Sequence, residues 1–139
     1  MISSTNVALF GRDWDGVNAY EKERATMLAE LGYVAFAADI FGADLQEDLS
    51  FDQRVNLTTL YRSDPELFVE RITSAIEQLK MVEDVDPNNI GALGYCFGGT
   101  GMIDLAFAGN NETKIVTAFH GGLTPLPNVT VPISPYTLM

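Results

Sequence analysis

Short apolar runs separated by amphipathic stretches give this chain its main pattern, the spacing expected of parallel strands joined by covering helices. Val7 to Phe10, Val34 to Ala38, Ile90 to Tyr95 and Ile115 to Phe119 read as four strands buried on both faces. Between the first two, Asn18 followed by Glu21 predicts a helix N-cap. Tyr20, Met27, Leu28 and Leu31 fall on one helical face, and Gly32 supplies the stop. Asp64-Pro65 predicts a second helix with Leu67, Phe68, Ile72, Ala75, Ile76 and Leu79 as its apolar stripe, and Asp86-Pro87-Asn88-Asn89 turns the chain into the third strand. A third helix is expected from the Gly98-Gly99 turn, carrying Met102, Ile103, Leu105, Ala106 and Phe107 and ending near Gly109 and Asn110. Ala43 to Arg62 is mixed in pattern and predicts a loop with a short helix. The four prolines between Pro125 and Pro135 surround Val129 to Ile133, which has the character of a further edge element just beginning.

The predicted fold class is therefore α/β, a mostly parallel sheet with helices on both faces. At 139 residues, with no repeat, composition break or low-complexity block, the chain fits one domain over 1–139. Its hydrophobic fraction of 47% is that of a globular protein. No stretch is long enough to span a bilayer and the start lacks a basic region before an apolar block, so a cytoplasmic location is expected.

A formal charge of −11 repels nucleic-acid phosphates and anionic lipid surfaces, so neither is an expected partner. One cysteine and one histidine exclude an internal disulfide and a Cys/His structural zinc site, and no metal or cofactor is expected. The Asn-x-Thr patterns at Asn56, Asn111 and Asn128 are read as chance matches, because no signal peptide accompanies them.

The chain's one cysteine ends an apolar run in Gly94-Tyr95-Cys96-Phe97-Gly98-Gly99. Strand, sharp turn and helix around a nucleophile flanked by Gly94 and Gly98 match a nucleophile elbow, in which glycines allow close backbone approach. A thiol at a helix N-terminus is also favoured as thiolate by the unpaired N–H groups there. The alternative is a small buried hydrophobe in a tight turn. Under-a-third of the chain follows Cys96, and it holds few groups that could serve as proton carrier or orienting acid: Asp104, Glu112 and His120. Asp104 stands two turns along the same helix, about 12 Å at ~1.5 Å per residue, too far to orient a histidine beside the thiol.

These residues resemble the dienelactone hydrolase family of the α/β-hydrolase superfamily, whose nucleophile motif is Gly-x-Cys-x-Gly-Gly. The resemblance extends over Asp13-Trp14-Asp15-Gly16-Val17-Asn18, Leu31-Gly32-Tyr33 to Asp39 with Phe41-Gly42, and Phe119-His120-Gly121-Gly122. It implies a partial α/β-hydrolase fold without its C-terminal strands. It also implies Cys96 as attacking thiolate, an oxyanion hole from the backbone N–H groups of Trp14 and Phe97, and Asp13 where many members have a glutamate that holds the resting thiol. Asp13 is one methylene shorter than that glutamate. Arg54 stands where the family places an arginine that binds the substrate carboxylate, with Arg62 as competitor; a guanidinium would select anionic substrates bidentately, and a solvated surface arginine is the alternative for both. His120 matches a non-triad position and is expected as pocket wall or structural histidine. The triad acid and histidine come from later strands and loops in the family, so a C-terminally truncated member is expected.

The expected function is hydrolysis of ester or lactone bonds in small carboxylate-bearing substrates. A noncatalytic binding or interaction module that keeps the elbow as scaffold, and a redox-sensing thiol, remain as alternatives. An uncovered sheet edge could support self-association.

Overall fold

The computed structural model describes residues 6–10, 17, 19–42, 49–123 and 137–138. Five strands form one parallel sheet: β1 (Asn6–Phe10), β2 (Val34–Ala38), β3 (Ile90–Tyr95), β4 (Ile115–Phe119) and β5 (Thr137–Leu138), in the spatial order β2-β1-β3-β4-β5. Among the described residues four helices lie between β1 and β4: α1 (Ala19–Glu30), α2 (Phe51–Ser63), α3 (Pro65–Lys80) and α4 (Phe97–Phe107). The step from β1 to β2 runs one way across the sheet and the return to β3 runs the other. Right-handed crossovers then place α1 on one face, and α3 and α4 together on the opposite one. The α3 and α4 helices pack on each other and α1 packs on β1 and β2, as this arrangement requires. No helix among the described residues is long and apolar enough to cross a membrane.

The four strands expected from apolar runs are present, but among β2, β3 and β4, whose burial is described, only β3 is buried over most of its length. Ile115 and Phe119 of β4 are exposed, and β2 is half-buried except at Ala38. Helix α1 closes as its glycine stop implies, with Gly32 N–H on the Ala29 carbonyl (2.9 Å) and Tyr33 N–H on that of Leu28 (3.1 Å). Its expected apolar face is not a core face: Met27 is 47% exposed and Leu31 74% exposed, whereas Glu21 is buried. Asn18, its expected cap, lies outside the described residues.

Helix α3 is capped by Asp64, whose Oδ1 accepts from Leu67 N–H at 3.0 Å, and Pro65 occupies its first turn. Phe68, Ile72, Ala75, Ile76 and Leu79 bury the expected stripe against α4 and the sheet. Within the region read as a loop with a short helix, α2 is present and runs for 13 residues, while residues 43–48 lie outside the described ones. Its start is a capping box: Gln53 N–H donates to Ser50 Oγ (3.3 Å) and Ser50 N–H to Gln53 Oε1 (2.9 Å). Helix α4 begins at Phe97, one residue before the expected Gly98-Gly99 start, and is buried over nearly its whole length. Val129 to Ile133 lies outside the described residues.

Candidate active site

In an open parallel sheet, ligands bind outside the carboxyl ends of the strands where the strand order reverses. Here that point lies between β1 and β3, and Cys96 is the residue that leaves β3 there. Phe10, the last residue of β1, is the register partner of Gly94, so the chain exits β1 beside the elbow.

Cys96 is the N-cap of α4 at φ 49°, ψ −111°, a strained conformation for a residue with a side chain. Its carbonyl accepts the first helical bond from Thr100 N–H (3.0 Å), and its own N–H donates to the carbonyl of Phe119 at the end of β4 (2.9 Å). A Cβ on Gly94 would stand 2.3 Å from the Gly98 carbonyl oxygen, which is the physical need for glycine two residues before the cysteine. Two neighbouring glycines are nearly as tightly packed. A Cβ on Gly99 would meet the Phe119 carbonyl oxygen at 2.8 Å, and one on Gly121 would meet the Gly99 carbonyl carbon at 2.5 Å. Backbone therefore touches backbone between the elbow and the His120-Gly121-Gly122 turn.

Phe97 opens α4, so its N–H has no carbonyl four residues back within the helix. Its ring is buried in an aromatic group, with ring centroids 4.6 Å from Phe68, 5.6 Å from Phe41 and 6.2 Å from Tyr61. Tyr61 donates its hydroxyl to the Ile40 carbonyl (3.1 Å), tying α2 to the end of β2. The elbow is thus held from below by four aromatic side chains. On its other flank, Tyr95 and Phe119 stack across β3 and β4 with centroids 4.8 Å apart.

His120 stands exposed at the carboxyl end of β4 with φ 57°. Arg54 lies in the first turn of α2, its Nε donating to the Leu49 carbonyl at 2.9 Å. Arg62 sits at the opposite end of that helix. Asp104, in the same helix as the elbow, is 3% exposed, and burial pushes its carboxyl pKa up to about 6. Asp13 and Trp14 lie outside the described residues. Among the described residues no three His, Cys, Asp or Glu side chains gather as a metal-binding group.

Thr100, which carries no motif of its own in the sequence, is a further residue that holds the turn at Cys96. Its hydroxyl accepts from Gly122 N–H (2.9 Å) and donates to the Cys96 carbonyl (3.4 Å), joining the elbow to the turn after β4. Its place four residues after Cys96 on one helix was the available signal.

A parallel sheet with a strained cysteine between strand and helix at its switch point defines an α/β protein with a sharp strand-to-helix turn at that cysteine. The chain belongs to the dienelactone hydrolase family, whose family model matches residues 4–138. A Bradyrhizobium protein named "Probable 2-oxo-3-(5-oxofuran-2-ylidene)propanoate lactonase" is 31% identical over 106 residues, covering 76% of this chain and 42% of that protein. A solved dienelactone hydrolase-like promiscuous phosphotriesterase from metagenomic libraries superposes with a TM-score of 0.78 at 33% identity, covering 88% of this chain and 49% of that one. The structure named m3DLH gives a TM-score of 0.77 at 32% identity, covering 89% of this chain and 51% of that one. The chain thus spans about half the length of the relatives it matches.

Proposed function

We propose that this chain carries the nucleophile half of an ester or lactone hydrolase acting on small carboxylate-bearing substrates, with Cys96 as nucleophile. The observation that carries the reading is the strained Cys96 backbone at the head of α4, at the sheet's switch point. Family membership and the lactonase name of the Bradyrhizobium relative support the substrate class.

In the proposed reaction the Cys96 thiolate attacks the carbonyl carbon, and the carbonyl electrons move to oxygen. The Phe97 N–H, at the head of a helix dipole, is a donor suited to that oxyanion, with the Trp14 N–H as its proposed companion. Collapse expels the alkoxide or enolate of the ester or lactone, which takes up a proton, and leaves a thioester on Cys96. Water then attacks the thioester, releasing the carboxylic acid and returning the thiol. Asp13, three residues past the end of β1, is the proposed group that holds the resting thiol. Between the two arginines we assign the substrate carboxylate to Arg54, whose Nε bond to Leu49 leaves the Nη groups of its fork for a bidentate pair.

The one histidine of these 139 residues is exposed at the end of β4, so deacylation by this chain is expected to be slow. Turnover of aryl esters by the chain, by Cys96→Ala and by Cys96→Ser tests the assignment. Slow hydrolysis that disappears in Cys96→Ala is expected. Equal hydrolysis by the chain and Cys96→Ala rules out the thiol and leaves the noncatalytic module.

A further inference from the structure

One turn along α4 from the elbow lies a partly enclosed cavity of about 270 Å³, lined by Arg62 from the end of α2, Pro65 from the start of α3, Thr100 and Asp104 from α4, and Gly122 from the turn after β4. The proposed hydrolytic mechanism uses none of these side chains. Asp104 is buried to 3% exposure, and among the described residues its carboxylate has no hydrogen bond or ion pair. A carboxylate removed from water without a partner is costly, and burial is the cause of its raised pKa. Arg62 lines the same cavity from an exposed position, and no ion pair joins it to Asp104. The cavity therefore presents a buried negative group and a cationic group at its rim, separated by more than contact distance.

We propose that this cavity is a binding site for a small amino-carboxylate zwitterion, its ammonium group on the Asp104 carboxylate and its own carboxylate on the Arg62 guanidinium. The ammonium supplies the donors that the buried Asp104 lacks, and a charge-assisted bond of this kind is stronger than a neutral one. The Arg62 fork matches a carboxylate in two parallel bonds. A simple cation satisfies Asp104 but meets Arg62 as a like charge, and a simple anion meets the reverse conflict. The site thus selects molecules that carry both groups. Thr100 gives the pocket its fixed wall, because its hydroxyl is already engaged by Gly122 and Cys96.

The test is calorimetric titration of the 139-residue chain with 4-aminobutanoate, n-butylammonium and butanoate, repeated on Asp104→Asn and Arg62→Gln. The expected result is saturable millimolar binding of 4-aminobutanoate, tighter than that of either singly charged probe. Asp104→Asn should weaken 4-aminobutanoate and butylammonium at least tenfold. Arg62→Gln, an exposed change at a helix end that leaves the core intact, should weaken 4-aminobutanoate at least tenfold and butylammonium less than twofold. Absence of saturable binding overturns the proposal. So does undiminished binding in either variant, or binding lost on substitution of Arg54 and retained in Asp104→Asn.

Discussion

The amide of Cys96 donates to the carbonyl of Phe119 at 2.9 Å, so the residue that turns the chain out of β3 is pinned to the last residue of β4. Around that bond the backbones of Gly99 and Gly121 are in direct contact. The proposed nucleophile is therefore fixed by main-chain packing on one side and by the buried ring of Phe97 on the other.

Gly94→Ala tests the main-chain packing. Its new methyl group would lie 2.3 Å from the Gly98 carbonyl oxygen, against backbone that cannot step aside without opening the elbow. A loss of about 3 kcal/mol in urea unfolding is expected, together with loss of any Cys96-dependent esterase activity. Unchanged stability would show that the elbow backbone is looser than the contact implies.

Phe97→Ala tests the aromatic support. Removing a buried ring packed on Phe68, Phe41 and Tyr61 should cost about 3–5 kcal/mol by denaturant unfolding, while Phe97→Leu should recover much of the loss. A loss below about 1 kcal/mol for the alanine variant would mean that the ring does not hold the elbow.

How far the sequence disclosed this arrangement depended on whether the signal was local. The four strands, the Asp64-Pro65 start of α3 and the glycine end of α1 were legible, because each rests on a few consecutive residues with one physical meaning. The Ser50/Gln53 capping box was equally local and was missed, since the mixed polarity of this region pointed only to a short helix without a defined start. The α1 face misled because Met27 and Leu31 have helical spacing yet are exposed, and spacing alone does not say which stripe meets the sheet. The sharp turn from β3 into α4 at Cys96 was legible from its flanking glycines. The Thr100 bridge and the Asp104 cavity were not, because both depend on Gly122 or Arg62 arriving from distant parts of the chain.

Thr100→Val keeps the shape and removes the hydroxyl that accepts from Gly122 N–H. The expected cost is about 1–2 kcal/mol, from an amide left without its acceptor. Thr100→Ser should retain most of the stability. Chemical denaturation of both variants checks this, and equal stability of the valine variant and the parent would show that the bridge contributes nothing.

Asp104 gives a pH dependence with a definite sign. Its folded pKa, about 6, lies above the ordinary carboxylate value of 3.8, so between those two values the folded state holds a proton that the unfolded state has lost. Stability from this group is present below about pH 4, falls as the pH rises to about 6, and is gone above it, a change on the order of 3 kcal/mol. Asp104→Asn should remove that fall, so the stability difference between variant and parent should grow in the variant's favour from pH 4 to pH 7 in urea titrations. A pH-independent difference would contradict the burial of an unpaired carboxyl.

The most direct test of the central claim, that Cys96 is an acylatable nucleophile, is intact-mass and peptide mass spectrometry of the chain after brief exposure to p-nitrophenyl acetate at neutral pH. Near-stoichiometric acetylation mapped to Cys96, slow loss of the acetyl group to water, and no adduct in Cys96→Ala are expected. An unmodified Cys96 after complete consumption of the ester, or equal ester consumption by Cys96→Ala, would contradict that claim.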